Sequence, residues 1–177
     1  MSESSLGESE LVESELMARS RDLITNCTQM GLSIAGAESL TGGRFIATLV
    51  DVPGASAVVR GGVITYATDL KSKLAGVDAD HLEETGPIDP VVAAQMAAGA
   101  ARECIADIGI SCTGVAGPDP QDGKDVGLVY TAIAFAGKAE VVEHHFSGDR
   151  EAIRAATVDA MVERLGDFVA RVTHGPE

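Results

Sequence analysis

The chain has 177 residues, enough for one domain with a proper core. Apolar residues make up 45%, in runs too short to span a membrane, and no charged-then-apolar leader opens the sequence, so a cytoplasmic location is expected. A formal net charge of −14, no Trp and only 3% aromatic residues argue against direct nucleic-acid binding, which needs cations for phosphates and rings for bases.

Residues 1–16, "MSESSLGESELVESEL", hold five Glu and no Lys or Arg, which accounts for −5 of the charge and leaves −9 on the rest. Residues 1–10 read as an acidic flexible tail, and 11–173 as a single domain. Helical periodicity starts near Leu11 and stops around Gly31. "LSIAGAE" then reads as a short buried strand, and "RFIATLV" as a short helix closed by Pro53 and Gly54. "SAVVRGGVITYA" reads as a strand bulged at Gly61 and Gly62. "TDLKSKLAGV" is a short helix with Thr68 or Asp69 as cap. In "DPVVAAQMAAGAARECIA", Asp89 caps a helix and Pro90 takes its first position. "DIGISCTG" is another buried strand, and "GPDPQDGKD" a polar loop. "VGLVYTAIAFAG" and "AEVVEHHF" form a hairpin around Gly137 and Lys138, and a long helix from Asp149 closes the chain. Helices alternating with short apolar strands, then a hairpin, predict an α/β fold: a three-layer α/β/α sandwich with a mixed sheet.

Cys27, Cys104 and Cys112 are an odd count without CxxC spacing, which fits small core residues rather than a disulfide framework or a zinc ribbon. The four lysines are Lys71, Lys73, Lys124 and Lys138, so an anionic ligand has few places to find positive charge.

"GAESLTGGRF", residues 36–45, places Ser39 between a strand and a helix. In open α/β sheets ligands gather at the carboxyl ends of strands. The backbone N–H groups of Thr41, Gly42 and Gly43 would face an anion or a developing oxyanion there. Alternatively, Ser39 or Thr41 merely caps the helix. The segment is neither a P-loop nor a GxSxG elbow, and no lysine stands three residues after Ser39. A serine nucleophile needs a base. His144 and His145 face opposite sides of one strand, His81 sits at an acidic helix start and His174 near the C-terminus, so no Ser/His/Asp triad is visible. A buried lysine can replace histidine because desolvation lowers its pKa, and Lys71 and Lys73 are the candidates.

"SCTGVAGPDP" is a second strand-to-loop transition, where Thr113, Gly114, Ala116 and Gly117 offer small residues and backbone N–H groups. Two such loops at strand ends suggest a pocket between them. Arg150, at a helix start in "FSGDREAIR", reads either as a phosphate clamp with Arg154 or as the partner of Asp149 or Glu151.

Taken together, these segments resemble one family, the C-terminal domain of the competence/damage-inducible protein CinA, which also occurs as a stand-alone nicotinamide-nucleotide amidohydrolase (nicotinamide mononucleotide deamidase). The family pattern is roughly A-E-S-[CL]-T-G-G, G-G-x-x-x-Y-[SA]-N-x-x-K-x-x-L-x-G-V, T-G-x-A-G-P and F-x-G-D-R. This chain has "AESLTGG", "GGVITYATDLKSKLAGV", "TGVAGP" and "FSGDR" in that order, over about residues 16–170, with Leu40 where Cys is common and Thr68 where Asn is usual.

The resemblance implies hydrolysis of nicotinamide mononucleotide to nicotinate mononucleotide and ammonia, in pyridine-nucleotide salvage. It implies Ser39 as nucleophile, Lys71 rather than Lys73 as its base, and Tyr66 nearby. Thr113, Gly114, Ala116, Gly117 and Arg150 then hold the nucleotide, and no metal or organic cofactor is needed. The expected partners are the small nucleotide substrate and further copies of the chain as a homo-oligomer; nucleic acid and membrane are not expected. The competing expectation is a protein-interaction module linked to competence or DNA damage, with a recombinase partner engaged through the acidic tail.

Overall fold

The structure, a computed structural model, describes residues 8–174. Residues 1–7 of the expected tail lie outside that range. Residues 8–10 already belong to the first helix, α1 (Glu8–Met30), which begins three residues before the expected start at Leu11.

Five strands form one sheet: β1 (Ile34–Glu38), β2 (Val59–Ile64), β3 (Ile108–Gly114), β4 (Leu128–Phe135) and β5 (Lys138–His145). Their spatial order is β2-β1-β3-β4-β5. β1 runs parallel to β2 and β3, and the β3–β4 and β4–β5 pairs are antiparallel, so the sheet is mixed as expected. The parallel core explains the sequence pattern: β1 is buried at all five positions, β3 at its first six, and both read as continuous small and apolar runs.

α1, α2 (Arg44–Val50) and α6 (Arg150–His174) cover one face. Their core with the sheet includes Leu23, Phe45, Leu49, Ile110, Met161 and Leu165. α3 (Thr68–Ala75), α4 (Ala79–Thr85) and α5 (Pro90–Cys104) lie on the other face, where Ala35, Ala37, Val92, Met96 and Ala100 meet. No helix among the described residues is long and apolar enough to cross a membrane.

The local signals hold in α5, where Asp89 accepts the N–H groups of Val91 and Val92 and Pro90 takes the first helical position. Three expectations shift. The N-cap of α3 is Ala67, with no side-chain cap bond; Asp69 lies inside the helix and pairs with Lys73, 2.6 Å away. The bulge falls at Arg60, because the register passes from Ile34–Val59 directly to Ala35–Gly61, and the Arg60 Nε donates to Cys104 O at 3.1 Å. The hairpin turn is Ala136 and Gly137, with φ of 49° and 78°, so Lys138 already belongs to β5. Two successive positive φ values give the primed turn whose twist matches the strands.

Candidate active site

β1 and β3 run side by side, and β1 ends at Glu38 opposite Cys112, two residues before β3 ends at Gly114. Ser39 is therefore delivered next to the end of β3. β2 lies on the other side of β1, with Ile64 opposite Glu38, so the chain leaving β2 carries Thr65 and Tyr66 to the same end of the sheet. α3 follows at once and brings Lys71 back over Thr65.

Lys71 Nζ donates to Ser39 Oγ at 3.0 Å and to the Thr65 carbonyl at 2.7 Å. Lys71 is 1% exposed and forms no ion pair among the described residues. Burial lowers its pKa from 10.5 to about 8, and the Cys112 thiol acts as a smaller, opposing influence. Cys112 is itself pushed up to about 11, first by burial and then by the Glu38 charge, so near neutral pH it stays a thiol. A neutral thiol provides no anion to hold the Lys71 amine protonated. Lys73, two residues on, is exposed and paired with Asp69. The helix thus separates the two lysines that the local sequence left equivalent.

A cavity of about 160 Å³ opens over the pair. Ser39, Tyr66, Lys71, Thr113, Gly114, Ala116, Gly117 and Arg150 all line it. So do Thr68, read from the sequence as a helix cap, and Leu40, Asp119 and Gln121, to which the local sequence assigned no role. Arg150 spans the rim: its Nη1 donates to Gly117 O at 2.8 Å and its Nη2 to Tyr66 Oη at 3.0 Å. Both acceptors are neutral, and among the described residues no carboxylate pairs with Arg150; neither Asp149 nor Glu151 is its partner. Glu151 instead pairs with Arg44 and Arg154, and Asp149 caps α6 through Ala152 N–H at 2.9 Å.

Thr41, Gly42 and Gly43 do not line the cavity. The Gly42 N–H closes the turn on Ser39 O at 3.1 Å, and the Gly43 N–H is taken by Glu38 Oε2 at 2.9 Å. The Thr41 hydroxyl lies 3.1 Å from Cys112 Sγ, and that sulfur also draws on the Thr41 backbone. These three residues shape the turn, and their donors are already committed. The Leu40 amide, by contrast, enters no backbone hydrogen bond among the described residues. The Thr113 hydroxyl proton is likewise committed, donated to Pro87 O at 2.6 Å, which leaves that hydroxyl only as an acceptor. Arg154 is not a second clamp residue: it donates to the carbonyls of Leu40 and Thr41, at 3.0 Å each, and pins the turn.

His81, His144 and His145 are engaged away from Ser39. His81 pairs with Asp89 at 3.0 Å, His144 meets Thr131 and stacks on Phe146, and His145 pairs with Glu143. No group of three or more His, Cys, Asp or Glu among the described residues could hold a metal ion.

Residues 17–169 match the family model of the CinA C-terminal domain. A competence-damage inducible protein of Bacillus subtilis (strain 168) is 42% identical over 134 residues, which is 76% of this chain and 32% of that one. One of Halalkalibacterium halodurans is 41% identical over 160 residues, 90% of this chain and 37% of that one. The chain thus spans about a third of the length of these curated relatives. Among solved structures, the competence/damage inducible protein CihA of Agrobacterium tumefaciens is similar with a TM-score of 0.84 and 34% identity, over 89% of this chain and 96% of that one. On this family match and these identities, the chain belongs to the CinA C-terminal domain family.

Proposed function

We propose that the chain is a nicotinamide-nucleotide amidohydrolase, converting nicotinamide mononucleotide and water to nicotinate mononucleotide and ammonia. The observation that carries this reading is the 3.0 Å contact between Ser39 Oγ and the buried Lys71 Nζ at the floor of the cavity. With Lys71 neutral, the serine O–H donates to the amine while Nζ–H still donates to Thr65 O. Ser39 Oγ attacks the carboxamide carbon and its proton passes to Nζ. The tetrahedral oxyanion falls to the Leu40 N–H, the free amide next to the nucleophile. Lys71 then returns the proton to the departing nitrogen, and ammonia leaves with an acyl-serine behind. Water attacks that ester, Lys71 takes its proton, and the acid is released with Ser39 restored.

Tyr66 and Arg150 form the mouth, and the unpaired Arg150 guanidinium is the group suited to the phosphate. The test is ammonia release from nicotinamide mononucleotide by the wild type beside Ser39→Ala. The wild type is expected to turn over and the variant to lose at least about 1,000-fold in kcat. The relatives' names favour a second reading, a role in competence or the response to damage. A wild type without turnover would move that reading to first place.

A further inference from the structure

Glu38 is a carboxylate at 1% exposure, and it is the residue immediately before Ser39. Its side chain points away from the cavity, toward α2. The N-cap of that helix is Gly43, at φ 98°, which has no side chain to accept the first-turn amides. Glu38 takes their place from the end of β1. Its Oε2 accepts Gly43 N–H at 2.9 Å and Phe45 N–H at 3.1 Å, and its Oε1 accepts Ile46 N–H at 3.0 Å. Phe45 is fully buried, so water cannot serve in its stead.

The backbone of Glu38 reaches the other half of the pair. Its carbonyl accepts Thr65 N–H at 2.8 Å, and the Thr65 carbonyl accepts Lys71 Nζ at 2.7 Å. Ser39 itself is tied on its far side, where its N–H donates to Cys112 O at 3.2 Å. One residue therefore bolts the nucleophile's turn to α2 through its side chain and to the lysine's anchor through its backbone.

We propose that Glu38 is the positioning residue that sets the Ser39–Lys71 contact, acting through the α2 amides and touching neither substrate nor Lys71. The inference rests on the Ser39–Lys71 reading above. Loss of the carboxylate frees three amides of a partly buried turn. The turn shifts, and Ser39 Oγ leaves hydrogen-bond reach of Nζ. A displacement of about 1 Å at a reacting atom costs about 100-fold in rate.

The experiment compares the full chain with Glu38→Ala and Glu38→Gln. It reads kcat and KM for nicotinamide mononucleotide across pH, and the rate at which Ser39 takes a fluorophosphonate label, which needs an activated serine but not the substrate. Glu38→Ala is expected to lose about 100-fold in kcat and in labelling rate, with KM within about twofold. Glu38→Gln is expected to lose about tenfold, since its single amide oxygen serves at most two of the three amides and its NH₂ opposes the third. The pH at which activity breaks stays where the wild type has it, because Lys71 keeps its burial and its Thr65 contact.

Folding of each variant is checked by circular dichroism and urea midpoint; if Glu38→Ala does not fold, Glu38→Gln decides. A folded variant whose kcat and labelling rate stay within about threefold of wild type overturns the proposal. So does one in which kcat, KM and the pH break move together, as a general loosening would produce. A wild type that takes the label but releases no ammonia sinks the amidase reading alone, and the labelling rates then decide the role of Glu38. A wild type that does neither overturns both.

Discussion

In the proposed mechanism Lys71 sets the chemistry and the stability of this fold against each other. Its folded pKa is near 8 and its ordinary value is 10.5, so between those values the unfolded chain binds more protons than the folded one. Stability from this group is fully present above 10.5 and is lost as pH falls to about 8. At 1.36 kcal/mol per unit the cost at neutral pH is about 3 kcal/mol. Lys71→Met should therefore unfold later in urea than wild type at pH 7, by about that amount, and the gain should fade as pH approaches 10.5. Equal stability of the two proteins at neutral pH would mean that Lys71 is solvated. The same pKa predicts that kcat/KM for nicotinamide mononucleotide rises about tenfold per pH unit and levels off near pH 8. A profile that keeps rising past pH 9.5, or is flat, would remove Lys71 as the base. Arg150, held among the described residues by the neutral Gly117 carbonyl and Tyr66 hydroxyl, makes a separable prediction. Arg150→Ala should raise KM about tenfold for the mononucleotide and far less for the riboside, since a charge-assisted phosphate contact is worth about 1.5–3 kcal/mol. Equal effects on both substrates would take Arg150 out of the phosphate site.

Among the elements, α5 decides how closely the back of the sheet is covered. Its backbone lies directly on β3: a Cβ added at Gly109 would fall 1.8 Å from Ala97 O. Gly109→Ala must push the helix off the strand, and with it the Asp89 cap and the Ser111 hydroxyl bonded to Ala93 O at 2.6 Å. The expected loss is about 3 kcal/mol or more, read as a fall in urea midpoint, with kcat of the folded fraction unchanged. This contact also shows what the sequence can and cannot disclose. Asp89 and Pro90 announce the start of α5 because capping is local chemistry, settled within three residues. The continuous apolar runs announce β1 and β3 because both their faces are buried. The seat of α5 on Gly109 pairs residues of different elements and leaves no periodic trace. Glu38 escaped for a related reason. An acidic residue ending a strand reads as a solvated strand end, and only the fold shows α2 bending its amides back onto it. The expectation that Thr41, Gly42 and Gly43 would offer free amides failed on three separate contacts: Gly43 N–H goes to Glu38, Gly42 N–H to Ser39 O and the Thr41 backbone to Cys112 Sγ. Ser39, just after β1, and Thr113 and Gly114, at the end of β3, were legible because both strands are buried. That they share one cavity depends on β1 and β3 being neighbours in the sheet.

Over the whole molecule the dominant physical fact is the charge of −14, and the proposed substrate must approach through it. Nicotinamide mononucleotide carries a phosphate dianion and a pyridinium, net about −1 at neutral pH, whereas the riboside lacks the phosphate and is net +1. A chain of this length has a radius of about 20 Å. The Debye length falls from about 30 Å at 10 mM salt to about 8 Å at 150 mM. Spreading the charge over such a sphere gives a repulsion of a unit anion that drops by roughly 1 kcal/mol across that range. The local attraction of Arg150 acts over a few ångströms, well inside the Debye length at both salt concentrations, so it changes less. The body's repulsion therefore governs the trend. Raising salt from about 10 to about 150 mM should increase kcat/KM for the mononucleotide about fivefold and decrease it for the riboside. Measuring both substrates on one enzyme preparation separates this field effect from any salt effect on the fold, which would move the two rates in the same direction. A fall in kcat/KM for the mononucleotide with salt would mean that the acidic residues are screened from the mouth, and that Arg150 alone sets the approach.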